Sequence, residues 1–167
     1  MKKIGIYSSI VTIILILDQL TKKWAESALK GQRTQEYLGG LFKLIYAENR
    51  GAWGSFGSDY SEFWRYFLLI ILPVGALIAL TIFLFKSKKL KTWDYTAYSL
   101  ILSGGVGNLI DRILYDYVID FLYIGYRGIG TNIFNIADMV IMAGFIMLIL
   151  DGIVFKNKKV HPTEMGV

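Results

Sequence analysis

The chain has 167 residues, of which 54% are hydrophobic and 19% charged, and its mean hydropathy is +0.48. Soluble domains are roughly 45–50% apolar, so this composition indicates a protein whose solvent is lipid. The absence of cysteine excludes disulfides and thiol catalysis, and a single histidine, His161 in a polar tail, excludes a histidine metal cluster. We therefore expect no metal and no cofactor.

Four apolar segments predict membrane-spanning helices, because each is close to the roughly 20 residues that a helix needs to cross the hydrocarbon. In chain order they lie at about residues 4–20, 64–85, 96–114 and 133–155. The chain has no internal repeat and no linker-like stretch. We therefore predict a single integral membrane domain over residues 1–167.

The first segment also has features of a secretory signal peptide, since Lys2 and Lys3 precede an apolar stretch and small residues follow it. Asp18 and Gln19 interrupt the end of that stretch. Two lysines then stand where a signal peptide carries a neutral cleavage region. These features favour a retained span.

The lysines predict the topology. Half of the 18 lysines and arginines flank the apolar segments: Lys2, Lys3, Lys86, Lys88, Lys89, Lys91, Lys156, Lys158 and Lys159. By the positive-inside rule, both termini, including a tail at 156–167, face the cytoplasm. The net charge of +5 is interpreted in this way rather than as nucleic-acid binding. The outer loops, about 21–63 and 115–132, carry glycines and aromatic residues that favour short strands.

Ionisable residues gather near the predicted outer ends of the spans: Asp18, Asp111, Arg112, Asp120 and Asp138. A carboxylate at the centre of a helix in the bilayer costs about 2.5–3.5 kcal/mol, so such residues are functional candidates. Asp120 and Asp138 each lie among apolar neighbours. Two carboxylates in a low-dielectric site cannot both ionise, and aspartyl peptidases use this to activate water. From the residues alone, two separate loop and helix-cap aspartates explain the pattern equally well.

Two other spacings carry polar side chains. Asp18 and Lys22 are four residues apart in the favourable order for an ion pair on a helix. Gly104, Asn108 and Arg112 follow one another at steps of four on the third span, so they share a helix face. Packing explains the glycine. The amide and the guanidinium predict a polar cavity, or a contact between Arg112 and a carboxylate such as Asp111, Asp116 or Asp120.

Five sequence blocks resemble, in order, the signature blocks of lipoprotein signal peptidase, also called signal peptidase II. They are DQLTK at 18–22, NRGAWG at 49–54, GGVGNLIDR at 104–112, VIDF at 118–121 and FNIAD at 134–138. The second block by itself is typical of a turn with an aromatic residue at the membrane interface. Each block is weak singly, whereas the set, with four spans, is specific.

The resemblance implies an all-α membrane protein with four transmembrane helices, a small extracytoplasmic β-sheet cradle and a short surface helix. It implies an aspartyl endopeptidase at the outer face of the bacterial cytoplasmic membrane, inhibited by globomycin, that cuts prolipoproteins before a diacylglyceryl-modified cysteine. The catalytic residues would be Asp120 and Asp138. The supporting positions would be Asp18, Lys22, Asn49, Gly51, Asn108, Arg112 and Asn135. We expect a monomer whose partners are this substrate and membrane lipids.

Two positions depart from the family pattern: Met139 stands where serine is common, and Trp53 where phenylalanine is frequent. Met139 weakens an argument from helix capping after Asp138.

Two functions outside this family are also considered. A transporter or proton pathway would need carboxylates spread across the membrane, whereas these cluster at one face. A non-enzymatic scaffold would use the glycine-rich third span only for packing.

Overall fold

A computed structural model describes residues 2–52, 56–87, 90–127 and 129–155. The helices and strands are α1 (Lys2–Leu29), β1 (Gln35–Tyr37), β2 (Phe42–Asn49), α2 (Glu62–Tyr66), α3 (Leu72–Lys86), α4 (Thr92–Tyr115), β3 (Val118–Tyr126), β4 (Ile129–Gly130) and α5 (Ile136–Leu150). A π-helical segment, Phe67–Ile71, joins α2 to α3, and another, Asp151–Phe155, follows α5. The predicted tail at 156–167, with His161, lies outside the described residues, as does Trp53.

Among the described residues, three helical stretches are long and apolar enough to cross a membrane: Gly5–Leu29, Glu62–Lys86 and Ile136–Ile153. They coincide with the first, second and fourth predicted spans. None of the residues of α3 is buried within the protein, although this helix is strongly apolar. A helix that is apolar all round and has no buried face is suited to lipid.

The helix at the third predicted span, α4, lies at the centre of the bundle and packs against α1, α3 and α5. Its buried residues are small or polar: Ala97, Ser99, Ser103, Gly104, Gly107, Asn108 and Asp111. Small residues let neighbouring helices approach closely, which explains why this central helix is less apolar than α3 and α5. That this helix also crosses the membrane stays a prediction.

The first helix continues past residue 20, where its apolar run ends, through Leu29. Ala25 and Leu29 in this extension are buried against Ile119 and Phe121 of β3. The last two turns of α1 therefore pack on a protein surface. A hydropathy pattern identifies the part of a helix that contacts lipid. It did not predict this extension, because the extension contacts protein.

Strands from the two outer loops form one antiparallel sheet in the order β1-β2-β3-β4, as the strand-like composition of those loops predicted. In the β2–β3 pair, Ala47 lies opposite Asp120 and Asn49 opposite Val118. Directly opposite residues point to the same face of a sheet, as do alternate residues of one strand. The register therefore puts Asn49 on the same face as Asp120. Between β1 and β2 there is a 3-10 turn, Leu38–Gly40; the short surface helix stays a prediction.

Candidate active site

The first turn of α5 holds Asp138. Asn135 is the N-cap residue, and its side-chain oxygen accepts a hydrogen bond from the Asp138 N–H at 2.9 Å. In return, Asp138 Oδ2 accepts one from the Asn135 N–H at 3.1 Å. This reciprocal capping box satisfies two main-chain donors that a helix start leaves unpaired. The box needs only these two residues, so it does not depend on Met139.

Asp120 lies on β3 and is 2% exposed. Its two carboxylate oxygens accept hydrogen bonds from amide side chains, Oδ1 from Asn135 Nδ2 at 2.7 Å and Oδ2 from Asn49 Nδ2 at 3.0 Å. Burial, together with the negative charge of Asp138, raises the pKa of Asp120 to about 7. Asp120 therefore has a neighbouring carboxylate and an affinity for a proton near neutral pH.

Asn108 connects this pair to the interior of the bundle. Its Nδ2 donates to Asp138 Oδ1 at 2.7 Å. Its Oδ1 accepts from Asn135 Nδ2 at 3.1 Å and from Lys22 Nζ at 3.0 Å. Both sides of the amide are thus used, which fixes its orientation and the orientation of the groups that it contacts.

Asp18 and Lys22 form the ion pair that their spacing predicted, at 2.9 Å. The pair is buried, and it has a third member, because Lys22 Nζ also lies 3.0 Å from Asp111 Oδ2. With Asn108, the ammonium has three hydrogen-bond acceptors, which is its full capacity. Asp18 Oδ1 accepts in addition from the Ala137 N–H at 3.0 Å, so the cluster also holds the start of α5.

Of the two alternatives that the sequence left for Arg112, a polar cavity or a contact with a carboxylate, the described residues show no salt bridge for the second. Arg112 Nη2 donates to the Gly51 carbonyl oxygen at 2.9 Å. The physical reason is that Asp111, the residue before Arg112, is paired with Lys22 instead. The buried Arg112 Nε has no hydrogen-bond partner within the described part of the chain.

Asn49 and Gly51 form a tight turn at the end of β2. Asn49 Oδ1 accepts a hydrogen bond from the Gly51 N–H at 3.0 Å, while its Nδ2 donates to Asp120. An asparagine that bonds to its own main chain two residues on is the usual Asx turn. Gly51 is buried and bonded to Arg112, so this turn ties α4 to the sheet.

Comparisons with known proteins decide the family. A sequence model described as "Signal peptidase (SPase) II" matches residues 10–154. The chain belongs to the signal peptidase II family. The lipoprotein signal peptidase of Fusobacterium nucleatum is 36% identical over 154 residues, which cover 92% of this chain and 90% of that protein. The enzyme of Chlorobium phaeobacteroides is 38% identical over 170 residues, which cover 93% and 98%.

Two solved structures have the same fold and bear titles that describe bacterial membrane enzymes. One has a TM-score of 0.78 at 27% identity and covers 98% of this chain and 96% of its own. The other has a TM-score of 0.76 at 29% identity, with coverage of 90% and 94%. This signal peptidase II family member is therefore a membrane peptidase, and neither the transporter nor the scaffold is needed to explain its buried polar residues.

Sequence reasoning missed the contacts of Gln19 and considered Asp111 only as a candidate carboxylate and a possible partner of Arg112. Gln19 Nε2 donates to Asp111 Oδ1 at 3.0 Å and contacts Asp18 Oδ2 at 3.3 Å. Asp111 Oδ2 accepts in addition from the Ile119 N–H at 3.2 Å, where β3 begins. The sequence could have indicated the contacts of Gln19, because Gln19 and Lys22 are three residues apart and therefore lie on one face of α1.

Proposed function

We propose that this signal peptidase II family member removes signal peptides from diacylglyceryl-modified prolipoproteins by cutting before the lipidated cysteine. Asp120 and Asp138 would activate the water. The observation that carries this proposal is the position of Asn135, whose side-chain Nδ2 donates to Asp120 while its Oδ1 and main-chain N–H engage Asp138. One residue thereby brings two carboxylates from different elements together.

In the proposed reaction the two carboxylates hold one proton between them at neutral pH, which the raised pKa of Asp120 supports. The ionised carboxylate takes a proton from water as the water oxygen attacks the carbonyl carbon before the cysteine. The protonated carboxyl group donates to the carbonyl oxygen. When the tetrahedral intermediate collapses, the cysteine nitrogen receives a proton, and the products are a signal-peptide carboxylate and a free cysteine amino group.

The other polar residues would position this pair. Asn49 and Asn108 orient the two carboxylates through single hydrogen bonds. Asp18 and Lys22 anchor Asn108 and the start of α5. Gly51 and Arg112 hold the turn beside Asp120 through the Arg112 Nη2 hydrogen bond to the Gly51 carbonyl oxygen.

We further propose four membrane spans with both termini in the cytoplasm and the dyad at the outer face of the bacterial inner membrane. The sheet and the dyad lie at the C-terminal end of α1 and the N-terminal end of α5, opposite the lysine-flanked ends. The protein would act as a monomer among membrane lipids. A substrate held in the bilayer by two acyl chains would present its cysteine at this depth.

The test is cleavage in lipid vesicles of a prolipoprotein with and without diacylglycerol on its cysteine. We expect cleavage of the lipidated form, little cleavage of the unmodified form, and inhibition by globomycin. Equal rates on the two substrates, with no effect of globomycin, would contradict the proposal.

A further inference from the structure

An open cleft of about 400 Å³ lies beside Asp120 on the outer sheet. Its lining includes Ile45 and Ala47 of β2, Asn49 and Asp120 in the middle, and the segment 131–133 on the far side. This volume lies within the roughly 300–1,000 Å³ of typical ligand sites. Apart from Asp120 and Asn49, the residues that line the cleft take part in none of the proposed catalytic steps.

The far side of the cleft offers free hydrogen-bonding groups. Thr131 and Phe134 pair with β3, through Thr131 N–H to the Ile124 carbonyl at 2.7 Å and Phe134 N–H to the Leu122 carbonyl at 2.9 Å. Between them, the main chain of residues 132–133 makes no hydrogen bond within the described part of the chain, and neither does the exposed Asn132 amide. Free main-chain donors and acceptors are what an extended peptide pairs with.

A second cavity near the dyad has a different character. It measures about 200 Å³ and is lined mainly by apolar residues, among them Phe56, Leu68 and Leu69, next to Ala52. Leu68 and Leu69 belong to the helical stretch Glu62–Lys86, which is apolar enough to cross a membrane. We expect acyl chains and the apolar signal peptide to bind at this second cavity, because burying apolar groups against apolar residues is favourable. The cleft on the sheet mixes apolar residues with exposed polar ones, so it suits a segment of polypeptide in water.

We propose that the cleft binds the polypeptide that follows the diacylglyceryl cysteine, an inference that rests on the proposed function. Asn132 and the main chain at 132–133 form hydrogen bonds with this polypeptide. This is the part of a prolipoprotein that lies in water outside the membrane. Ala47 sets the width of the cleft. It lies opposite Asp120 in the β2–β3 register, so a larger side chain there would project beside Asp120 into the space that the peptide occupies.

The experiment uses the full chain in lipid vesicles and two synthetic diacylglyceryl peptides with the same signal sequence. One ends at the cysteine as an amide, and the other continues for about three residues, roughly 10 Å of extended chain. We expect kcat/KM for the longer peptide to be about tenfold higher, the effect of one or two hydrogen bonds, with most of the change in KM. Asn132→Ala and Ala47→Leu should each bring this ratio close to one.

Matched controls are Gln32→Ala, an exposed amide outside the cleft, and Ala76→Leu on the exposed side of α3. Both should keep the tenfold ratio. Asn132→Ala changes an exposed side chain, so it keeps the test valid if Ala47→Leu fails to fold. A ratio near one in the wild type overturns the proposal. The proposal is also overturned if Asn132→Ala changes the cleavage rate in a way that depends only on the residues before the cysteine. The cleft would then bind the signal peptide. If no lipidated prolipoprotein is cleaved at all, the proposed function itself fails.

Discussion

Asn135 is the residue on which the geometry of the proposed dyad depends. It is fully buried, it caps α5, and it donates to Asp120 Oδ1 and to the Ile119 carbonyl oxygen on β3. Because the start of a helix and a strand are both bonded to one amide side chain, Asn135 constrains how far apart their carboxylates can lie. Positioning of this kind is needed for a pair of carboxylates that share one proton.

Asp120→Asn and Asp138→Asn should each abolish turnover, with a loss of at least about 10²–10⁴ in rate, because acid–base function is removed. The melting temperature should hold or rise slightly, since a neutral amide nearly keeps the shape of the carboxyl group and removes the cost of burying a carboxylate beside a second one, which offsets the loss of one accepted hydrogen bond. Both quantities are measured in one detergent, with the exposed Asp59→Asn as the control. Near wild-type turnover in either variant would exclude the aspartyl mechanism, and unfolding of both would make these carboxylates structural.

The raised pKa of Asp120, about 7, predicts a pH dependence. An unfolded aspartate titrates at about 3.9, so the native protein binds more protons between about pH 4 and pH 7. The free energy of unfolding should therefore fall as the pH rises through this window, and kcat/KM should fall above about pH 7 as the shared proton is lost. Thermal unfolding across this range tests the first point. Asp120→Asn should flatten the slope, and an unchanged slope would contradict the prediction.

Lys22 forms salt bridges with two buried carboxylates, those of Asp18 and Asp111. Lys22→Met should lower the free energy of unfolding by about 3–5 kcal/mol, because it leaves both charges buried without a partner. Lys30→Met is the matched control. The Lys30 ammonium pairs with Glu48 at 3.0 Å in an exposed position, where solvent screens the interaction, so its loss should have little effect. Equal destabilisation by the two variants, measured by chemical denaturation, would contradict this account.

At the scale of the elements, a glycine allows α4 to pack closely against its neighbours. A Cβ atom on Gly107 would lie 2.6 Å from Asp18 Oδ2 and 3.4 Å from the Ala137 Cβ. The glycine therefore permits α1 and α5 to approach α4 closely enough for the Lys22 cluster to form. The predicted face of Gly104, Asn108 and Arg112 is thus part of a wider contact in which small residues bring polar groups together.

Gly107→Ala should destabilise the protein by about 1–3 kcal/mol, the usual cost of overpacking, and should lower activity because it displaces Asp18. Gly75→Ala on α3 makes a matched control: a Cβ there meets nothing within 4 Å, and alanine is favoured over glycine in a helix by about 0.5–1 kcal/mol. Melting temperatures and cleavage rates of both variants are compared in the same detergent. A Gly107→Ala protein as stable and active as wild type would show that the close contact is unimportant.

At the scale of the whole molecule, the lysine bias predicts that the loop containing Ser87 faces the cytoplasm and the segment containing Ser58 faces outward. The chain has no natural cysteine, so Ser87→Cys and Ser58→Cys each introduce a single reactive thiol. An impermeant thiol reagent on intact cells should label only Ser58→Cys, and both should react after lysis. Labelling of Ser87→Cys in intact cells would invert the topology and place the aspartates in the cytoplasm.

The sequence by itself determined the membrane character, the helical segments, the strands of the outer loops and the family. These follow from properties that each residue carries locally, namely its apolar surface, its strand preference and its place in a short block. Only the tertiary structure decided which polar groups meet. It paired Lys22 with Asp111, gave Arg112 the Gly51 carbonyl oxygen in place of a carboxylate, and brought Asn49 to Asp120 through a strand register. These contacts depend on how far each helix is rotated and how two strands align, and both are set by packing between segments distant in the chain.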